Sequence, residues 1–178
     1  MLKNLYLIVG ASGTGKTTLA NNLAQHYNTT VVQSYTTRKK RFFGETGHLF
    51  VSEEDFKKVP KNDILAYTYF NNTHYWVTAE QLENSDFYII DPAGIIYLYK
   101  MYKGRRPIVV LGLQCDKQTI IDRLTTRDGE DTRTKNDEHI FTDEVMKLIS
   151  DELIDVSENS DIVLNKVIKI IDKYETED

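Results

Sequence analysis

Apolar residues along this chain come in short unbroken runs separated by polar, turn-rich stretches, which predicts buried strands alternating with amphipathic helices. Leu5-Tyr6-Leu7-Ile8-Val9, Phe87-Tyr88-Ile89-Ile90 and Pro107-Ile108-Val109-Val110-Leu111 lack polar alternation, as strands buried on both faces do. Val31-Val32-Gln33-Ser34 reads as a second short strand and residues 161–164 as a last one. Between them, Leu19, Ala20, Leu23 and Ala24 share one helical face. The same spacing marks Ile120, Ile121 and Leu124 behind an Asp116 cap, then Val145, Leu148 and Ile149, and finally Val167, Ile168 and Ile171.

The middle of the chain breaks this rhythm. Residues 35–50 are polar, basic and glycine-containing, so they read as an arm. Ser52 with Asp55 and Thr78 with Gln81 are capping boxes that each open a short helix, and Pro60 closes the first. Residues 64–77 are rich in Tyr, Thr, Phe and Trp around Asn71-Asn72, a hairpin pattern in which the aromatics serve packing within the arm. Residues 125–140 are charged with almost nothing to bury, as in a flap. The expected architecture is a three-layer α/β/α fold with a parallel core sheet. It is read as one domain, with a core of residues 1–33, 84–124 and 141–178, an inserted β-rich arm over 34–83 and a small lid over 125–140.

Composition bounds the partners. The chain has 178 residues, 40% hydrophobic and 28% charged, enough for one ordinary globular core. A net charge of −5 argues against general nucleic-acid binding, although Arg38-Lys39-Lys40-Arg41 and Arg105-Arg106 form local basic islands. No apolar run reaches membrane-spanning length, no signal-peptide pattern opens the chain, and the single Cys115 has no internal disulfide partner. A cytoplasmic protein without membrane contact, monomeric or homodimeric, is the expectation.

Residues Gly10-Ala11-Ser12-Gly13-Thr14-Gly15-Lys16-Thr17 fit G-x-x-x-x-G-K-[ST] at every fixed position, with a buried strand before and an amphipathic helix after. Such a loop, together with the adjoining Thr18, aims backbone N–H groups and a helix N-terminus at one anion. Lys16 adds a full charge for the β- and γ-phosphates of ATP, and Thr17 a hydroxyl for Mg²⁺. Two further features carry chemistry. Arg38 and Arg41, three apart on a non-helical arm, suit convergence on one phosphate. Asp91 ends a buried strand, where ligands collect in open α/β sheets, and it also suits a turn or cap ahead of Pro92.

Ser34-Tyr35-Thr36-Thr37-Arg38, Arg41, Gly44-Glu45, Gly47, Phe50-Val51-Ser52, His74-Tyr75, Ile90-Asp91-Pro92-Ala93-Gly94 and Asp122-Arg123-Leu124 running to Arg127 resemble guanylate kinases, in the P-loop NTPase class. The resemblance implies that Ser34, Arg38, Arg41, His48 and Tyr75 grip the acceptor's phosphate or base. It places Asp91 between the metal region, through water, and the acceptor. Arg127 and Arg133 become lid arginines that join Lys16 and Arg38 at the transferring phosphate. The implied reaction is ATP-dependent phosphorylation of GMP or dGMP. Aligned on Tyr75, however, Ala66 stands where the family usually carries an acid for guanine, and His48 stands for the first arm tyrosine. Leu65-Ala66 followed by Tyr75 is also similar to ribose 1,5-bisphosphate phosphokinases. That bisphosphate and other deoxynucleoside monophosphates therefore stay open as acceptors. A non-catalytic binding module is disfavoured by intact Gly15, Lys16 and Thr17.

Overall fold

The computed structural model describes residues 1–128, 137 and 139–177. Strand β1 (Leu5–Gly10) lies at the centre of a four-stranded parallel sheet. On one side it pairs with β6 (Phe87–Ile89), and on the other with β7 (Ile108–Gln114), which in turn pairs with β8 (Glu152–Asp155). Successive side chains of β1 point to opposite faces, and both faces are covered. Tyr6 and Ile8 enter an apolar cluster with Leu19 and Leu23 of helix α1 (Lys16–His26) and Val163, Val167 and Ile171 of the C-terminal helix α7 (Ser160–Thr176). Leu5, Leu7 and Val9 enter a second cluster with Ile95 and Leu98 of α4 (Pro92–Met101) and Met146 of α6 (Asp143–Ile149). Each such fully buried aliphatic side chain contributes roughly 1.5–3 kcal/mol. The three layers therefore follow from the unbroken apolar run of β1.

A second sheet, ordered β3-β2-β5-β4, is built from residues 34–77. Its members are β2 (Ser34–Thr36), β3 (His48–Phe50), β4 (Leu65–Phe70) and β5 (Thr73–Val77). The β4–β5 hairpin turns at Asn71-Asn72, both at positive φ, the conformation for which asparagine is favoured in tight hairpins. Trp76 is buried, stacks on Tyr35 at 5.3 Å and lies against Phe56 at 4.8 Å, so it serves packing as expected. Both short-helix caps form: Ser52 accepts from the Asp55 N–H at the start of α2 (Glu53–Lys58), and Thr78 and Gln81 complete a reciprocal box on α3 (Ala79–Glu83).

Four expectations need correction. The second strand is not 31–34: Val31 makes only an isolated bridge to Phe87, and the ladder begins at Ser34 in the second sheet. The last strand is Glu152–Asp155, whereas residues 161–164 are the first turns of α7. There Asn159 caps the Asp161 N–H, and Val163, Val167 and Ile171 make an i, i+4 stripe. Residues 125–128 are not loop but the end of α5 (Lys117–Asp128). Arg106 is not surface charge: its guanidinium is buried against fully buried Asp86 and donates to the carbonyls of Leu2, Asn4, Leu82 and Ser85. No helix among the described residues is long and apolar enough to cross a membrane.

Candidate active site

The glycine-rich loop leaves β1 at its C-terminal end and turns into α1. Gly15, the residue before the helix, sits at φ +84°, and Gly13 at +83°, a left-handed backbone that side-chain-bearing residues avoid. Gly10 is required for another reason: a Cβ there would stand 2.6 Å from the Leu113 carbonyl of neighbouring β7. The loop is held by its own polar atoms. Thr14 Oγ1 donates to the Ala11 carbonyl at 2.8 Å, and Lys16 Nζ donates to the carbonyls of Gly10 and Ala11, each at 2.7 Å. The Ser12 N–H donates to a carboxylate oxygen of Asp137 at 2.6 Å, so the cradle already satisfies one anion of the protein's own. The Thr17 hydroxyl has no hydrogen-bond partner among the described residues.

Two of the cavities that adjoin this loop reach its glycines. One, of about 370 Å³, is lined by Gly13, Gly15, Thr18, Asn22, Arg123 and Glu158 among others. Arg123 is held there by the Val156 carbonyl at 2.7 Å. The other, of about 430 Å³, lies between the two sheets. Gly10, Ser12 and Lys16 form its loop side, Ser34, His48, Thr68 and Tyr75 its arm side, and Tyr88 and Asp91 its strand-end side. Both volumes suit a small ligand. Residues far apart in sequence thus converge on one chamber that opens onto the phosphate cradle.

Each wall has a structural cause. Asp91 caps α4, accepting from the Gly94 N–H at 2.9 Å and from Thr68 Oγ1 at 3.0 Å through the same oxygen. Its capping role is therefore real, and it coexists with a place on the cavity wall. Thr68 owes its position to a bulge: Leu65 pairs with Val77 but Thr68 with Tyr75, leaving one extra residue on β4. Ala66, in that bulge, adopts φ +50°, a strain of roughly 1–2 kcal/mol for a residue with a Cβ. The irregularity re-aims Ala66 and Thr68 into the chamber, as bulges beside sites commonly do. Ser34 Oγ and His48 Nδ1 are 2.9 Å apart. Burial, followed by the field of Arg38, pushes the His48 imidazolium pKa down, so the ring is neutral at pH 7.

Arg38 and Arg41 line neither of these two cavities. Both are organised by Glu45, which accepts from the Arg38 guanidinium at 2.7 and 3.3 Å and from the Arg41 N–H at 2.7 Å. Hydrogen bonding to Arg38 holds the Glu45 carboxyl at about 2, against an ordinary value of 4.5. A carboxylate depressed in this way stabilises the fold fully above its unfolded pKa, and the stabilisation disappears as pH falls through the folded value. Glu45→Gln should therefore be less stable than the native chain near pH 7, and the gap should shrink between pH 4.5 and about 2. Denaturant midpoints of both proteins across that range check it.

Of the remaining expected residues, Arg127 lies in the last turn of α5 with its side chain outside the described atoms, and Arg133 lies outside the described residues. Tyr88, Asp137 and Phe141 line the chamber without having been singled out in the sequence. Only the apolar run around Tyr88 signalled its burial.

A family described as AAA domain matches residues 5–92. A guanylate kinase of Protochlamydia amoebophila (strain UWE25) is 34% identical over 108 residues, 55% of this chain and 55% of that protein. A guanylate kinase of Mycoplasma genitalium is 28% identical over 141 residues, 73% of this chain and 58% of that one. The chain thus spans a little over half the length of these curated relatives. Among solved structures, guanylate kinase from Anaplasma phagocytophilum superposes with a TM-score of 0.72 at 22% identity, covering 99% of this chain and 90% of that one. A gluconokinase from Sinorhizobium meliloti 1021 gives 0.56 at 10% identity, covering 98% of this chain and 94% of that one. The fold is a P-loop α/β fold with a parallel central sheet. The chain is similar to guanylate kinases in sequence over about half its length, and its fold superposes on one throughout.

Proposed function

We propose that this chain is an ATP-dependent kinase for an acceptor that already bears a phosphate, with GMP or dGMP the first choice. The observation that carries the reading is the chamber joining Lys16 and the loop amides to Ser34, His48, Tyr75 and Asp91. An acceptor held there has its phosphate facing the end of a triphosphate in the cradle. One acceptor oxygen attacks the γ-phosphorus while the bond from that phosphorus to the β,γ-bridging oxygen breaks, and ADP leaves with the electron pair. The acceptor phosphate is already nucleophilic, so no side chain removes a proton. Lys16 and the loop N–H groups stabilise charge on the β- and γ-oxygens, and Arg123 borders the adjoining cavity proposed for the nucleoside of ATP.

Mg²⁺ fits the residues present. The Thr17 hydroxyl, which no described residue satisfies, is a ready ligand, and Asp91 presents a carboxylate across the chamber. Among the described residues no group of three or more His, Cys, Asp or Glu gathers as a metal site, which suits an ion carried mainly by phosphates and water. When bound, the ion neutralises charge on the phosphate oxygens as the phosphoryl group moves.

A second reading rests on Ala66, a small apolar residue on the arm wall where an acid would be needed for guanine. It favours another deoxynucleoside monophosphate or ribose 1,5-bisphosphate. Measuring Mg-ATP-dependent ADP release with each acceptor tests both. The expected result is turnover highest with GMP or dGMP; turnover with the bisphosphate alone selects the second reading, and none above acceptor-free hydrolysis removes both.

A further inference from the structure

Tyrosines in this core normally find a partner for the hydroxyl, as buried phenols must. Tyr6 donates to Glu175 at 2.7 Å, Tyr27 to Asp172 at 2.8 Å and Tyr102 to Glu83 at 2.7 Å. Tyr88 departs from this. Its side chain is 4% exposed and packs in the cluster that includes Leu65, Ala66 and Ile90, yet no hydrogen bond reaches its hydroxyl from any described residue. Tyr88 instead lines the 430 Å³ chamber beside Asp91 and Ala66. The neighbouring polar groups are already committed: Thr68 to Asp91, Ser34 to His48, and Lys16 to the loop carbonyls. The hydroxyl is not sealed in the core but opens onto the chamber, and a donor held on a cavity wall without a protein partner can bond a ligand in place of water.

We propose that the Tyr88 hydroxyl reads the acceptor, donating a hydrogen bond to an uncharged oxygen on the part of the substrate remote from its phosphate. The inference rests on the acceptor chamber of the proposed function and adds a specificity-determining residue to it. Ala66 and Tyr88 are complementary. The small residue on the arm wall leaves room, and the phenol on the core wall supplies the polar group, so recognition shifts from the arm to the sheet. The role is that of a donor, because burial, with the Asp91 carboxylate adding to it, raises the phenol pKa and keeps the proton on. Two sources offer such an oxygen, a nucleobase carbonyl and a sugar hydroxyl.

Tyr88→Phe removes the hydroxyl and keeps the ring. The experiment measures KM and kcat for GMP, dGMP and ribose 1,5-bisphosphate, with calorimetric binding of each acceptor in the absence of ATP and a thermal melt. A site that hydrogen-bonds its ligand loses roughly 10–100-fold in affinity when one uncharged donor is deleted. The expected result is an acceptor KM and Kd raised by about that factor, with ATP KM unchanged and no loss of melting temperature. A loss of GMP and dGMP alike with ribose 1,5-bisphosphate unaffected assigns the contact to the base, and a loss shared by the bisphosphate assigns it to a sugar hydroxyl. Either supports the proposal. Acceptor affinity within about threefold of native, or a change matched by a lower melting temperature, overturns it. If no acceptor turns over but the native chain binds one that Tyr88→Phe releases, the kinase reading fails and this assignment stands.

Discussion

Lys16→Met is expected to lower phosphoryl transfer by about 10²–10³-fold while leaving the fold in place, the usual scale for losing one preorganised electrostatic contact to a transition state. The replacement keeps the length of the aliphatic stem and removes only the ammonium. That ammonium bridges the carbonyls of Gly10 and Ala11, so it fastens the loop as well as facing the chamber. Its removal costs at least these two hydrogen bonds at a partly exposed site, roughly 1 kcal/mol each, a modest fraction of the stability of a domain this size. The turnover loss must therefore exceed anything the melt accounts for. Steady-state kinetics on the preferred acceptor, with a thermal melt of the same preparation, separate the two effects. Near-native kcat in Lys16→Met removes Lys16 from the transfer step, and a collapse in melting temperature reassigns it to holding the loop.

What could be read from the residues, and what could not, divides along physical lines. The strand–loop–helix unit from Leu5 to His26 was legible because every determinant is local: an apolar run, glycines at left-handed positions and an i, i+4 stripe. Caps at Ser52, Thr78 and Asp116 were legible for the same reason, since each binds an N–H three residues on. The last strand was misplaced because Asp161-Ile162-Val163-Leu164 is short and apolar, and such a run has no period of its own. Its helical identity comes from Val167 and Ile171 further along, which align with Val163 against α1. The chamber was only half legible. Ser34, His48 and Tyr75 came from motif resemblance, and Asp91 from its place at a strand end as well. Thr68 depends on a one-residue bulge, and Tyr88 on which wall a phenol reaches, neither of which is a local property. Arg106 was misread because two adjacent arginines look solvated until a fold brings a carboxylate and four carbonyls around one of them.

That same arginine carries the largest expected effect on stability. Arg106→Met should destabilise the protein by about 3–5 kcal/mol, the range found when one partner of a buried ion pair is removed. The reasons are local and cumulative. Asp86 is fully buried, and without the guanidinium its carboxylate keeps, among the described residues, only the Thr29 hydroxyl. The carbonyls of Leu2 and Asn4, just before β1, of Leu82 in α3 and of Ser85, just before β6, lose a shared donor at the same time. Arg106 thus ties together the starts of neighbouring parallel strands, at the opposite end of β1 from the glycine-rich loop. At roughly 2–4 °C per kcal/mol for a chain of this size, the melting temperature should fall by about 10 °C. Pairing the change with Asp86→Leu should restore part of the loss, since the stranded charge goes too. Full recovery is not expected, because four carbonyls remain without their donor. A drop of less than about 1 kcal/mol in Arg106→Met contradicts the arrangement, and complete rescue by the double variant shows that the ion pair alone matters.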